Sequence, residues 1–129
     1  MSWQAFVDTN LVGSGHLSQA AIFGHDKNVW AKSNERFQVK PAELDVILSA
    51  FEDAGEVYSK GFHVLEKRYV TIKCDSRSLY GKAADNDGGI VCVKTNQTLI
   101  VAVYPADIKS ELASVPVETL ADQLIEVNY

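Results

Sequence analysis

The chain is 129 residues long, 47% apolar and 22% charged, enough for one domain with its own hydrophobic core and no need of a disulfide or structural metal. No apolar run approaches the roughly 18 residues of a membrane span, and the opening Met1-Ser2-Trp3-Gln4 has neither the basic segment nor the apolar core of a secretion signal, so a cytoplasmic protein with Cys74 and Cys92 reduced is expected. A formal net charge of −5 argues against nonspecific nucleic-acid binding.

In chain order, Ser2 to Val12 has the pattern of a helix. Ser2 is a natural N-cap, Trp3, Phe6, Val7 and Leu11 recur at helical spacing, and Gly13 is a suitable stop. Leu17 to Phe23 and Val29 to Ser33 read as a strand hairpin around the polar turn Gly24 to Asn28. Pro41 at a first helical position, followed by Leu44, Ile47, Leu48 and Phe51, predicts an amphipathic helix over 41–52, ended by Asp53-Ala54-Gly55. From Phe62 to Tyr104 the period becomes strand-like. Turns at Glu66-Lys67, Asp75-Ser76, Asp87-Gly88-Gly89 and Thr95-Asn96 are so short that four or five strands must pair antiparallel in meander order. A last helix is predicted over 116–127, with Pro116 in its first turn and Leu120, Leu124 and Val127 on its apolar face. The order implies one α+β domain over 1–129, an antiparallel sheet covered by helices.

Catalytic and metal signatures are absent from the pattern. His16, His25 and His63 lack metal-ligand spacing, the cysteines form no C-x-x-C pair, and Gly88-Gly89 is followed by strand rather than helix, unlike a phosphate-binding loop. Cys74 beside Asp75 has no accompanying motif for a base, so a structural cysteine is the better reading. A binding protein without catalytic residues, metal or cofactor is expected.

Two features point to ligands. Residues 67–82 carry Lys67, Arg68, Lys73, Arg77 and Lys82 against Asp75, a local charge of +4, whereas 105–129 carries −4. These are either two solvated surfaces or a basic patch that meets an acidic partner. The large aromatics also stand out: Trp3 and Phe6 one helical turn apart at the N-terminus, Trp30 in the second strand, and Tyr129 last. They form either a packing seam or an exposed groove that grips a proline-rich peptide, whose polyproline II helix is already ordered before binding.

Four segments in register resemble profilins from Met1 to Tyr129: Ser2-Trp3-Gln4-Ala5-Phe6-Val7-Asp8 with Gly13-Ser14-Gly15, Asp75-Ser76-Arg77-Ser78-Leu79-Tyr80-Gly81-Lys82, Ile90 to Lys94 with the strand into Tyr104-Pro105, and Leu120-Ala121-Asp122-Gln123-Leu124-Ile125. The resemblance implies a central antiparallel sheet with the N- and C-terminal helices on one face and shorter helices on the other. It implies a cytoplasmic, cytoskeletal protein that is monomeric and binds monomeric actin one to one, and that also binds proline-rich assembly factors and, weakly, phosphoinositide lipids. The polyproline positions match Trp3, Phe6, Trp30, Gln123 and Tyr129; the actin-facing basic positions match Lys73, Arg77, Lys82 and Lys94, of which Lys73, Arg77 and Lys82 also match lipid head-group contacts. An interaction or trafficking adaptor of the same layout without an actin face is the alternative. The sequence departs from the family in having Phe6 for a usual Tyr, Gln123 for a frequent aromatic, and Pro116 where a helix usually continues.

Overall fold

The structure, a computed structural model, describes residues 2–129. The predicted hairpin is β1 (Gln19–Gly24) and β2 (Val29–Lys32), and the meander has five strands: β3 (Phe62–Val64), β4 (Lys67–Cys74), β5 (Ser78–Ala83), β6 (Gly89–Lys94) and β7 (Thr98–Tyr104). Short turns make neighbours of consecutive strands, and β7 then pairs with β1, giving one sheet in the order β2-β1-β7-β6-β5-β4-β3. Every pairing is antiparallel.

Side chains alternate between the faces of a strand, so the register sorts the apolar residues into two cores. The aligned row Ala21, Val101, Cys92, Leu79 belongs to one face, and the row Ala20, Ala102, Val91, Tyr80 to the other. The first face is covered by α2 (Pro41–Ala50) and α3 (Gly55–Lys60), which bury Leu44, Ile47 and Val57. The second is covered by the two terminal helices, which bury Val7, Leu11, Ala113, Val117, Leu120, Ala121 and Leu124. This is the layering that the resemblance implied.

The elements differ from the sequence expectation in four places. The N-terminal helix, α1, opens as α-helix over Trp3–Ala5, with the Ser2 hydroxyl accepting the Ala5 N–H at 3.1 Å. It widens to a π-helix over Phe6–Leu11, tightens to a 3-10 turn over Val12–Ser14, and stops at Gly15 (φ 83°) rather than at Gly13. Helix α2 ends at Ala50, where Ser49 O accepts the Glu52 and Asp53 N–H groups and closes the last turn, and Phe51 just beyond stays buried on the same core. Helix α3 was not foreseen; Asp53 Oδ1 accepts the Gly55 N–H at 3.0 Å, and Gly61 closes the helix at φ 73°. The final helix, α4, spans Ser110–Glu126 and holds Pro116 in its interior instead of its first turn. A proline there removes one helical hydrogen bond, but burial of Ala113 and Val117 on either side holds the helix to the sheet. Because α4 ends at Glu126, Val127 leaves the apolar face and is exposed.

Candidate ligand-binding surfaces

Trp3, Phe6, Trp30 and Tyr129 meet on the face covered by α1 and α4. Trp3 is the hub: its ring centroid lies 4.8 Å from that of Trp30, 5.1 Å from Tyr129 and 5.5 Å from Phe6, all edge-to-face. Such pairs are favourable because ring edges are positive and ring faces negative. Trp3, Phe6 and Trp30 pack on the core beneath yet stay half-buried, and Tyr129 is 40% exposed. Seam and groove therefore coexist: the inner edges pack and the outer edges meet solvent. Gln123 is exposed on α4, one helical turn before Val127.

Backbone features set this arrangement. Gln4 Nε2 donates to Lys32 O at 2.8 Å, tying α1 to β2 and so Trp3 to Trp30. A Cβ at Gly24 would lie 2.9 Å from Trp30 Nε1, so the missing side chain there lets the indole lie against the hairpin. Beyond α4, Asn128 adopts φ 70° and the Tyr129 N–H returns to Leu124 O at 2.7 Å, reversing the chain toward the sheet.

The basic segment is not a free patch. Arg77 Nη2 and Nη1 pair with Glu118 at 3.0 Å and Asp122 at 2.8 Å, so the positive and negative segments read from the sequence meet each other. Glu118 also accepts the Ser78 hydroxyl at 2.8 Å and the Tyr80 hydroxyl. Burial, and then the Glu118 carboxylate, push the Tyr80 phenol up to about 12. Lys73 lies 3.6 Å from Asp75 and over the Tyr80 ring. Lys82 is exposed and lines a concavity of about 360 Å³ with Ile72, Tyr104, Ile108 and Lys109 at the start of α4. Val70, Ile72 and Val115 add exposed apolar surface.

Lys94 does not join this patch. Its register partner is Leu99, of the α2 and α3 core, and it lines a shallow depression with Leu48 and Glu52 on that face, whereas Tyr80 and its partner Val91 belong to the other. Strand alternation decides this: Val91 and Val93 point to one face, so Lys94 points to the other. Sequence reading missed Glu43, a buried carboxylate that takes the N–H groups of Lys40, Leu65 and Glu66, each at 3.0 Å, and fixes the β3–β4 turn on α2. Its signal was its position three residues after Lys40, the capping-box spacing.

Cys74 and Cys92 are free thiols whose pKa burial raises, with lesser contributions from Asp75 on Cys74 and from Cys74 on Cys92. Neither has the depressed pKa of an activated nucleophile. Among the described residues no group of three His, Cys, Asp or Glu side chains could hold a metal ion, and no helix is long and apolar enough to cross a membrane.

The family model described as Profilin matches residues 1–129. The chain is 48% identical to Profilin-2 of Acanthamoeba castellanii over 125 residues, covering 97% of each chain. It superposes on the crystal structure of Acanthamoeba castellanii profilin II with a TM-score of 0.92 and 46% identity, covering 99% of this chain and 100% of that one. Mouse profilin IIa, solved in complex with a double repeat from the FH1 domain of mDia1, shares the fold at a TM-score of 0.82 and 20% identity, with all of both chains covered.

Proposed function

The chain belongs to the profilin family, and on that premise we propose that it is a cytoplasmic binder of monomeric actin that also docks proline-rich partners. It acts stoichiometrically, without a chemical step. The observation that carries the proline-rich half is the cluster of Trp3, Phe6, Trp30 and Tyr129, packed on its inner side and open on its outer side. An extended proline helix offers flat apolar rings and carbonyl acceptors but no N–H donors. Indole and phenol groups match it, since each joins an apolar face to one donor. Phe6 keeps the ring and lacks the donor, and Gln123 offers an amide in place of a ring.

The actin-binding half is supported by the concavity between β4, β5 and the start of α4, where exposed Ile72 shares the lining with Lys82 and Lys109, and by exposed Val70, the cross-strand partner of Lys82. Apolar area flanked by exposed cations that form no ion pair among the described residues suits an acidic protein surface, the cations outnumbering Glu111 in the lining and steering encounter from the rim. Lys82 is the leading contact; Lys73 and Arg77 already face carboxylates of their own chain, and Lys94 lies on the other face. The same lysines give phosphoinositide head groups a weak, salt-sensitive site, at about 1 kcal/mol per cation near an anionic surface.

Titration with a peptide of ten prolines, read by the fluorescence of Trp3 and Trp30, tests the groove. Saturable change that Trp3→Ala abolishes is expected; no change in the natural protein would mean that the cluster is only a seam. Sedimentation with actin tests the second face, where Lys82→Glu is expected to weaken monomer sequestration about tenfold, equivalent to about 1.4 kcal/mol. Unaltered sequestration would remove Lys82 from the interface.

A further inference from the structure

Tyr129 lies beyond the end of α4, where a chain ordinarily frays, yet its ring holds position against both tryptophans. Ring contacts half open to water do not by themselves fix a flexible backbone. The β6–β7 turn supplies the rest. Thr95 is 5% exposed, and its hydroxyl donates to Tyr129 O at 2.7 Å while accepting the Thr98 N–H at 3.0 Å. The Gln97 backbone N–H donates to the same Tyr129 oxygen, and Gln97 Nε2 reaches Asn128 O at 2.9 Å. Thr95 also closes its own turn, its N–H donating to Thr98 O at 2.9 Å, so its hydroxyl is held by a rigid hairpin.

We propose that Thr95 and Gln97 are positioning residues of the aromatic groove: they anchor the backbone of residues 128–129 to the sheet and so hold the Tyr129 ring where a proline-rich ligand meets it. The inference rests on the reading of the groove given above. Valine at position 95 would fill nearly the same buried space but would remove, with the bond to the tail, the acceptor of the Thr98 N–H and the contact with the Thr98 hydroxyl, so the part that belongs to the tail is read by comparison with the Tyr129→Ala background and with Gln97→Ala. Without that bond the ring is free to leave Trp3 and Trp30, and a ligand must reorder it on binding. Losing one buried hydrogen bond corresponds to about a fivefold change in affinity.

The experiment is a titration with the ten-proline peptide of the natural chain, Thr95→Val, Thr95→Ser, Gln97→Ala and Tyr129→Ala, with Thr95→Val repeated in the Tyr129→Ala background. Thr95→Val is expected to bind about fivefold more weakly, Thr95→Ser to retain nearly the natural affinity, and Gln97→Ala to lie between them. In the Tyr129→Ala background Thr95→Val should have no further effect, since there is no ring left to position. Urea denaturation of each variant separates this from a loss of stability. Natural affinity in both Thr95→Val and Gln97→Ala, or an equal loss from Thr95→Val with and without the Tyr129 ring, overturns the positioning role while leaving the groove standing. No binding by the natural chain overturns the groove itself. Should Thr95→Val fail to fold, Gln97→Ala decides the matter in the natural and Tyr129→Ala backgrounds, because Gln97 is exposed and its loss removes a tail bond without disturbing the buried packing: natural affinity of Gln97→Ala then overturns the positioning role.

Discussion

Removing the Arg77 guanidinium should loosen α4 from the sheet, and its cost can be worked from the contacts it makes. The pair with Asp122, at 2.8 Å, joins a side chain 36% exposed to one 68% exposed, so it is a surface ion pair worth about 0.5 kcal/mol and screened by salt. The pair with Glu118, at 3.0 Å, is less exposed on its acidic side, 26%, and Arg77 Nη2 also donates to Glu118 O at 3.1 Å. Charge-assisted bonds of this partly buried kind contribute about 1–2 kcal/mol together, after allowance for solvent screening. Arg77→Ala is therefore expected to destabilise by about 2 kcal/mol. With an unfolding entropy of about 2.1 cal/mol/K per residue, that lowers the Tm by about 7 °C, read by circular dichroism on heating and cross-checked by urea denaturation. In a Glu118→Gln background the same substitution should cost about half as much, since only the neutral remainder of that interaction is lost. A Tm within about 2 °C of the natural value, well inside the expected shift, or a cost independent of Glu118, would refute the clamp. The contacts also change what Arg77→Glu would report. Taken as a free cation, Arg77 could be reversed with the fold intact; beside Glu118 and Asp122 a glutamate adds repulsion within the chain, so the reversal probes the α4 clamp before it probes actin.

Pro116→Ala restores a helical N–H inside α4 and is expected to raise stability by about 1–2 kcal/mol, less than the full interior-proline penalty because the unfolded chain also gains freedom; a lower urea midpoint would contradict this. Gly24→Ala places a Cβ against the Trp30 indole and should shift Trp fluorescence and weaken proline binding several-fold, by about 1 kcal/mol, whereas unchanged affinity would show that the indole has room to move. At Asp75, burial opposes ionisation but the Arg77 and Ser78 N–H groups and Lys73 outweigh it, holding the carboxyl below its ordinary value. Its stabilising contribution is present above the unfolded value of 3.8 and lost as pH falls through the lower folded one; Asp75→Asn should flatten this acid limb of the urea-midpoint profile. At the alkaline end, Tyr69 and Tyr80 are raised from 10.0 to about 12, Tyr69 chiefly by burial and Tyr80 by burial and Glu118. Their contribution is present below pH 10 and lost between 10 and about 12, so ultraviolet titration should show Tyr69 and Tyr80 ionising late, together with Tyr104, which burial also raises; normal ionisation of Tyr69 and Tyr80 near 10 would contradict their placement.

The hairpin, the five-strand meander and α2 were legible because each depends on local rules: period-two apolar runs, short turns and a proline at a helix start. The groove was half legible. The aromatics marked it, but the Gly24 contact that seats Trp30 depends on how the hairpin folds back on itself, and the Thr95 and Gln97 bonds that hold the tail join residues far apart along the chain, so neither leaves a sequence pattern. Short α3 lacks the length over which helical periodicity becomes readable.

The sequence by itself determined the α+β class, the strand order within the meander and the resemblance to profilins, because period, turn chemistry and motif register are properties of neighbouring residues. Only the tertiary structure decided which charges remain available. The positive and negative segments, read as two surfaces, are brought together when α4 lies along the sheet, and Arg77 is spent on Glu118 and Asp122. Strand alternation sends Lys94 to the opposite face and leaves Lys82 open beside Ile72. Pro116 shows the same division: its backbone chemistry argues for a helix start, and burial of the residues around it carries the helix through. Local propensities are worth a few kcal/mol at most, whereas packing an amphipathic helix on a sheet removes a whole apolar face from water, so where the two conflict the tertiary burial prevails.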